Sequence, residues 1–208
     1  MAGAQSQPDF PGLGGLPLGD VVYTSNNLFP FFENRVMSRG RSDRGEFLRS
    51  LDLLETAEPT EVLARTEGRR ATDTFELFSE PTLSNGVAET CFFVRGVRHI
   101  PGAHEAIDRL TVGDRLKVCP EPDNERNRNA VLVLGEQEVG YLPRYLTDLV
   151  HFSYATASER IVVEVRHVGE RSGPAHFRLL CSLTAPWPSD KPVFSDPAFV
   201  PLASSVSR

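Results

Sequence analysis

Apolar side chains change their spacing along this chain, from threes and fours in its first part to alternation in its second. The stretch "SDRGEFLRSLDLLE" (42–55) sets Phe47, Leu48, Leu51 and Leu54 on one helical face, with Ser42 placed to cap it. "EPTEVLARTEG" (58–68) predicts another helix, capped by Thr60, with Glu61 at the positive end of its dipole and Gly68 as the stop. Ahead of both, "DVVYTS" (20–25) reads as a short strand, and "NNLFPFFENRVMSRG" as a short helix over roughly 28–38 with Pro30 in its first turn.

After "TDTFELFSEPTLSNGV", a short strand and a turn, the period switches to two. "ETCFFVRGV" (89–97), "RLKVCPE", "NAVLVLGE", "EVGYLPR", "ERIVVEVRHV" (159–168) and "AHFRLLCSL" (175–183) read as strands, with a tight connection through Gly135 and a Gly-containing hairpin before the last. "GAHEAIDRL" (102–110) and "RYLTDLVHFS" read as two short helices. The expectation is an α+β protein: a loosely ordered segment 1–19, a mainly helical accessory module 20–87, a compact barrel or strongly curved sheet 88–186, and a tail 187–208. In the run "TAPWPSDKPVFSDPAFVPLASSVSR" (184–208) five prolines alternate with Trp187, Phe194 and Phe199, which forbids regular structure and predicts an extended strap over the domain or onto a partner.

Composition adds little until it is divided. The net charge of −6 over 208 residues argues against a nucleic-acid partner, yet residues 1–87 hold 8 basic and 13 acidic side chains while residues 88–187 hold 12 and 13. The acidity belongs to the first part. All but two of the 22 basic residues are Arg, which suits forked contacts to phosphate and also follows from a GC-rich genome. Cys91, Cys119 and Cys181 are odd in number and far apart, so buried reduced thiols are expected rather than a disulfide framework or zinc site. Neither a run near membrane-spanning length nor a signal pattern is visible, and the simplest location is cytoplasmic.

The motifs of catalysis are missing from the sequence: it has no G-x-S-x-G elbow, no phosphate loop, no G-x-G-x-x-G and no histidine pair at metal-ligand spacing. Scattered carboxylates leave a hydrolase as a remote alternative, and no cofactor or metal is called for. A different constellation stands out. "VRGVRHIPGA" carries Arg95, Arg98 and His99 around a glycine, "PEPDNERNRN" carries Asn124, Arg126, Asn127 and Asn129, and "GYLPRY" carries Tyr141, Arg144 and Tyr145. If the strands meander, the three segments meet at one mouth and offer guanidinium groups for phosphate, amides for base edges or sugar hydroxyls, and rings for stacking. Each member also has a plainer role: Arg98 as a surface cation, Asn124 and Asn129 as loop braces, Tyr141 as a buried ring with its hydroxyl exposed.

The runs "FVRGVRHIPGA", "LTVGDRLKVCPEPDNERNRNAVLVL" and "EVGYLPRYLTDLV" resemble the HIRAN domain in order and spacing, over about half the chain. The resemblance implies a modified OB-like or SH3-like β-barrel that captures single-stranded DNA, notably a free 3′-hydroxyl end. It implies contacts from Arg98, His99, Asn124, Arg126, Asn127, Tyr141 and Arg144. This chain has His99 where those relatives carry a larger ring, Arg126 in place of a stacking aromatic and Asn127 in place of an Asp; an Asn carbonyl still accepts a bond from a 3′-hydroxyl. "LFPFFENRVMSRGRSDRGEFLRSLDL" is similar, more faintly, to the small N-terminal subdomain of HipA-type proteins, and implies only a helical accessory module. The expected function is binding of single-stranded DNA or DNA 3′ ends as an accessory to DNA repair, replication or a nucleic-acid-processing partner. The alternative is an adaptor that recruits a helicase, nuclease or toxin-like protein through residues 20–87 or the tail.

Overall fold

A computed structural model describes residues 22–70, 72, 73, 75–194 and 199; the segment 1–19 lies outside them. Among the described residues seven strands, all paired antiparallel, form one sheet in the order β1-β2-β7-β6-β3-β4-β5: β1 (Thr82–Ser84), β2 (Val87–Phe93), β3 (Arg115–Pro120), β4 (Val131–Leu134), β5 (Glu138–Tyr141), β6 (Val162–Val168) and β7 (Leu179–Pro186). The chain just past β2 then meets the end of β5. Arg95 and Tyr141 exchange both backbone hydrogen bonds, each 2.8 Å, so the curved sheet closes on itself like a barrel. Register shifts between Val133 and Leu134 and between Val165 and His167 are irregularities of the kind that add local twist and help so small a sheet bend.

Local chemistry explains the turns. Asn85 and Gly86, both at positive φ (51° and 77°), make the two-residue link between β1 and β2 whose twist matches the strands. Closure depends on Gly140, at φ 152°. A Cβ there would lie 2.2 Å from Val94 Cγ1 and 2.5 Å from the Arg95 carbonyl oxygen, so only a bare backbone lets β5 approach the strand it must join.

Among the described residues five α-helices flank the sheet: α1 (Pro30–Glu33), α2 (Arg44–Ser50), α3 (Pro59–Thr66), α4 (Ala103–Asp108) and α5 (Thr147–Ala157). The inside of the barrel holds one core, in which Phe92, Val94, Ile107, Val133, Leu149, Val165 and Cys181 are all buried. The alternate residues of β2 and β7 point outward, and Phe93 and Leu180 there are buried against Leu48, Leu51, Leu53, Ala57 and Val62 of the first part. The N-terminal helices therefore share a core with the outer face of the barrel. Each such Leu contributes roughly 1.5–3 kcal/mol through burial.

Several expectations need correction. Residues 22–25 are irregular rather than a strand, and the first helix stops at Glu33. The capping position of α2 is Asp43, not Ser42, and that of α3 is Glu58, not Thr60, because Pro59 takes the first helical position where its missing N–H costs nothing. Gly68, at φ 54°, does follow the end of α3, directly after Glu67. Leu54 is 77% exposed, since α2 ends before it. Cys181 is buried, Cys91 half-buried and Cys119 exposed; all three are free.

The described part of the tail, residues 187–194 and 199, turns back onto the domain. Trp187 is buried, meets Phe152 of α5 edge-on at 4.8 Å and donates from Nε1 to the Lys191 carbonyl at 2.7 Å, while the Lys191 ammonium lies 4.2 Å from the Phe152 ring centre. Phe194 and Phe199 both contact Phe78. Among the described residues no helix is long and apolar enough to cross a membrane.

A Gly140→Ala substitution should destabilise the protein by about 3 kcal/mol or more, through overpacking and backbone strain together. Urea unfolding followed by tryptophan fluorescence checks it; a loss under about 1 kcal/mol would mean that the closure tolerates a side chain.

Candidate functional site

The sheet closure leaves an open cavity of about 770 Å³ at one mouth of the barrel. The turn after β2 supplies Arg95, Gly96, His99 and Ile100; the β3–β4 loop supplies Asn124, Glu125, Arg126 and Asn127; the end of β5 and its continuation supply Tyr141 to Arg144. Six of the seven residues named from sequence thus line one cavity: His99, Asn124, Arg126, Asn127, Tyr141 and Arg144. Arg98 does not. It is exposed on the 3-10 turn Val97–His99, which directs His99 rather than Arg98 onto the cavity. The expectation that Arg98 converges with the 124–127 loop is therefore corrected.

The Asn/Arg loop holds its shape without glycine because asparagine side chains replace backbone partners. Asn124 Oδ1 accepts from the backbone N–H of Arg126 and of Asn127, both at 3.1 Å, and Asn124 Nδ2 donates to Glu121 Oε2 at 2.9 Å. Asn127 Oδ1 accepts from the Asn129 N–H at 3.1 Å, and the Ala130 N–H returns to the Asn127 carbonyl at 2.8 Å. Asn124 is consequently the brace of the loop. Asn127 keeps one lone pair on Oδ1 and, among the described residues, an unpartnered amide nitrogen.

Opposite the loop, Tyr141 rests its ring against Gly96, where a Cβ would sit 3.1 Å from Tyr141 Cδ2; φ of 70° at Gly96 makes the sharp turn that permits this. Burial first, then the Glu121 and Glu138 carboxylates, hold the Tyr141 phenol above its ordinary value, so it is a neutral hydroxyl at physiological pH. Arg126 and Arg144 are exposed and, among the described residues, pair with no carboxylate.

The floor contains a charge from outside the barrel. Glu67, 3% exposed, forms an ion pair with Arg95 and accepts from the Tyr145 hydroxyl at 3.1 Å. Tyr145 in turn stacks flat on Phe78, ring centres 3.9 Å apart. Burial holds the Arg95 guanidinium below its usual value, which is why a carboxylate partner is needed there. Arg69 and Glu76, from the same N-terminal stretch, complete the lining. Glu67, Arg69 and Glu76 were not legible in the sequence, because nothing in local periodicity connects residues 67–76 with loops that follow them by two or more strands. Among the described residues no group of three or more His, Cys, Asp or Glu is arranged to hold a metal.

The HIRAN domain family matches residues 87–173. Similar solved structures include a protein from Lactobacillus plantarum (22% identity, TM-score 0.37, covering 48% of this chain and 97% of that one) and the HIRAN domain of human HLTF (16% identity, TM-score 0.35, covering 50% and 81%). No curated protein sequence matches the chain.

Burial pushes Tyr145 up to about 12, more than Arg95 and Arg69 pull it down. The folded state thus favours the neutral phenol, whose stabilising contribution is complete below about pH 10 and is lost as pH rises toward 12. Tyr145→Phe should cost about 1 kcal/mol at neutral pH by removing the bond to Glu67, and should flatten the alkaline loss of stability. Urea unfolding at pH 7 and across the alkaline range compares the two proteins; parallel pH profiles would remove Tyr145 as the group responsible.

Proposed function

We propose that this protein binds unpaired nucleic acid, single-stranded DNA and its 3′ ends in particular, through the cavity at the barrel mouth. One observation carries this more than any other: three segments separated along the chain bring His99, Arg126, Asn127, Tyr141 and Arg144 to a single open cavity of about 770 Å³. That volume lies in the range of small-molecule sites, roughly 300–1,000 Å³, so it takes a nucleotide with its neighbours running out to solvent.

The chemistry is divided by residue. Arg126 and Arg144 carry unspent charge for phosphate oxygens, where forked guanidinium contacts are strong. Tyr141 and His99 offer ring faces for a base, a contact that tolerates any sequence. Asn127 offers its carbonyl oxygen to a terminal 3′-hydroxyl and its amide to a base or phosphate edge. Asn124 shapes the loop that holds Asn127 in position. The match of residues 87–173 to the HIRAN domain favours DNA as the ligand and binding as the activity, accessory to repair, replication or another processing enzyme.

An adaptor role is second. The helices of residues 44–66 spend Leu48, Leu51, Val62 and their neighbours on the barrel itself, and the described tail residues Trp187 and Phe194 pack on the same molecule. These apolar side chains are already engaged within the molecule.

Fluorescence anisotropy with a labelled single-stranded oligonucleotide should give micromolar affinity at low salt. With two or three phosphates contacted, log affinity should fall against log salt with a slope of about −1.5 to −2. Arg144→Ala and Arg126→Ala should each weaken binding by roughly 3–10-fold, and a 3′-phosphate end should bind more weakly than a 3′-hydroxyl. Flat anisotropy for both ends at low salt would end this reading.

A further inference from the structure

Ahead of the matched barrel, the described residues of the stretch 67–77 are held on three sides. At its base the Leu77 N–H donates to the Glu67 carbonyl at 2.9 Å, and Gly68, at φ 54°, is so close to Leu77 that a Cβ would lie 2.7 Å from its Cδ1. Behind it, the Arg35 side chain is 2% exposed, donates to the Gly68 carbonyl at 2.8 Å and to Asp73 Oδ1 at 3.0 Å, and lies 4.2 Å from the Phe31 ring centre. Below it, Glu67 is tied to Arg95 and Tyr145. These anchors leave two side chains facing the cavity, Arg69 and Glu76, which pair with each other at 3.1 Å while remaining 44% and 39% exposed.

We infer that Arg69 is a phosphate-contacting residue of the nucleic-acid site, and that Glu76 is its stand-in anion, displaced when a phosphodiester of the bound strand arrives. This rests on the reading of the cavity as a nucleic-acid site and extends that site beyond the barrel. A half-exposed Arg–Glu pair contributes little to stability, so the guanidinium exchanges readily for a forked phosphate contact. Glu67 and Gly68, which lead into Arg69, are already anchored by the Leu77 N–H and the Arg35 side chain, so the approach to Arg69 is set before a strand binds.

The test uses the full chain and a fluorescein-labelled oligothymidylate with a free 3′-hydroxyl. Arg69→Ala should weaken binding by roughly 3–10-fold and reduce the salt slope by about 0.7, the loss of one phosphate contact on a single strand. Glu76→Gln should tighten binding by roughly 2–5-fold, because the competing anion is gone. A merely structural pair would not produce that gain. If Arg144→Ala weakens binding while Arg69→Ala keeps the wild-type affinity and slope, the inference is wrong and the cavity reading stands. If the wild-type protein does not bind, both fall. Thermal unfolding accompanies each variant; should Arg69→Ala fail to fold, Glu76→Gln alone decides, and unchanged or weaker binding overturns the inference.

Discussion

The structure depends on the backbone pairing of Arg95 with Tyr141, the place where the sheet becomes a closed barrel. An open sheet of this order would leave β5 as an unpaired edge, with its N–H and C=O groups exposed to any passing strand. Closure satisfies the N–H and C=O of Tyr141 internally and also defines the mouth. Gly96 and His99 lie just beyond Arg95, and Leu142, Pro143 and Arg144 just beyond Tyr141, so the last ladder rung fixes the spacing of two of the three site segments. Gly140 is the steric condition for that rung, and Gly96 the condition for the turn that follows it.

A second constraint follows from the first. Closing the barrel carries the Arg95 side chain into a place where it is only 18% exposed, and a charge removed from water needs a partner. Glu67 supplies it from the end of α3, at a position with φ 57° that a non-glycine residue adopts only when its surroundings hold it there. The same charge pair therefore neutralises the floor of the site and docks the N-terminal helices against the mouth, while Phe93 and Leu180 dock them against the outer face. Site and accessory helices are coupled through one guanidinium.

Much of the fold was legible because local rules are strong where the pattern is periodic. The alternation in "ETCFFVRGV" and "ERIVVEVRHV" marks strands because one face must be dry, and Phe92 and Phe93 do take opposite faces. Asn85–Gly86 marks a hairpin because both residues tolerate positive φ. Helix caps were less legible: "DR" and "EP" had to compete with Ser42 and Thr60, and in α3 the proline decided it. The site was legible as residue types on loops, down to Asn124 bracing its own turn. Arg98 was misplaced because adjacent residues on a tight 3-10 turn diverge by about a third of a turn, and sequence does not say which of the two faces the cavity.

By itself, the sequence determined what short-range sterics and hydrogen bonding control: which stretches alternate, where Asn and Gly allow the chain to reverse, and which loops carry guanidinium and amide groups. Only the tertiary structure decided which of those groups meet, that Glu67, Arg69 and Glu76 join a site otherwise built from residues 95–144, and that His99 rather than Arg98 faces the cavity. The reason is physical. Period and turn chemistry act over a few residues, whereas barrel closure and the pairing of a buried charge are set by contacts between segments tens of residues apart, and these are fixed only when the whole chain has packed.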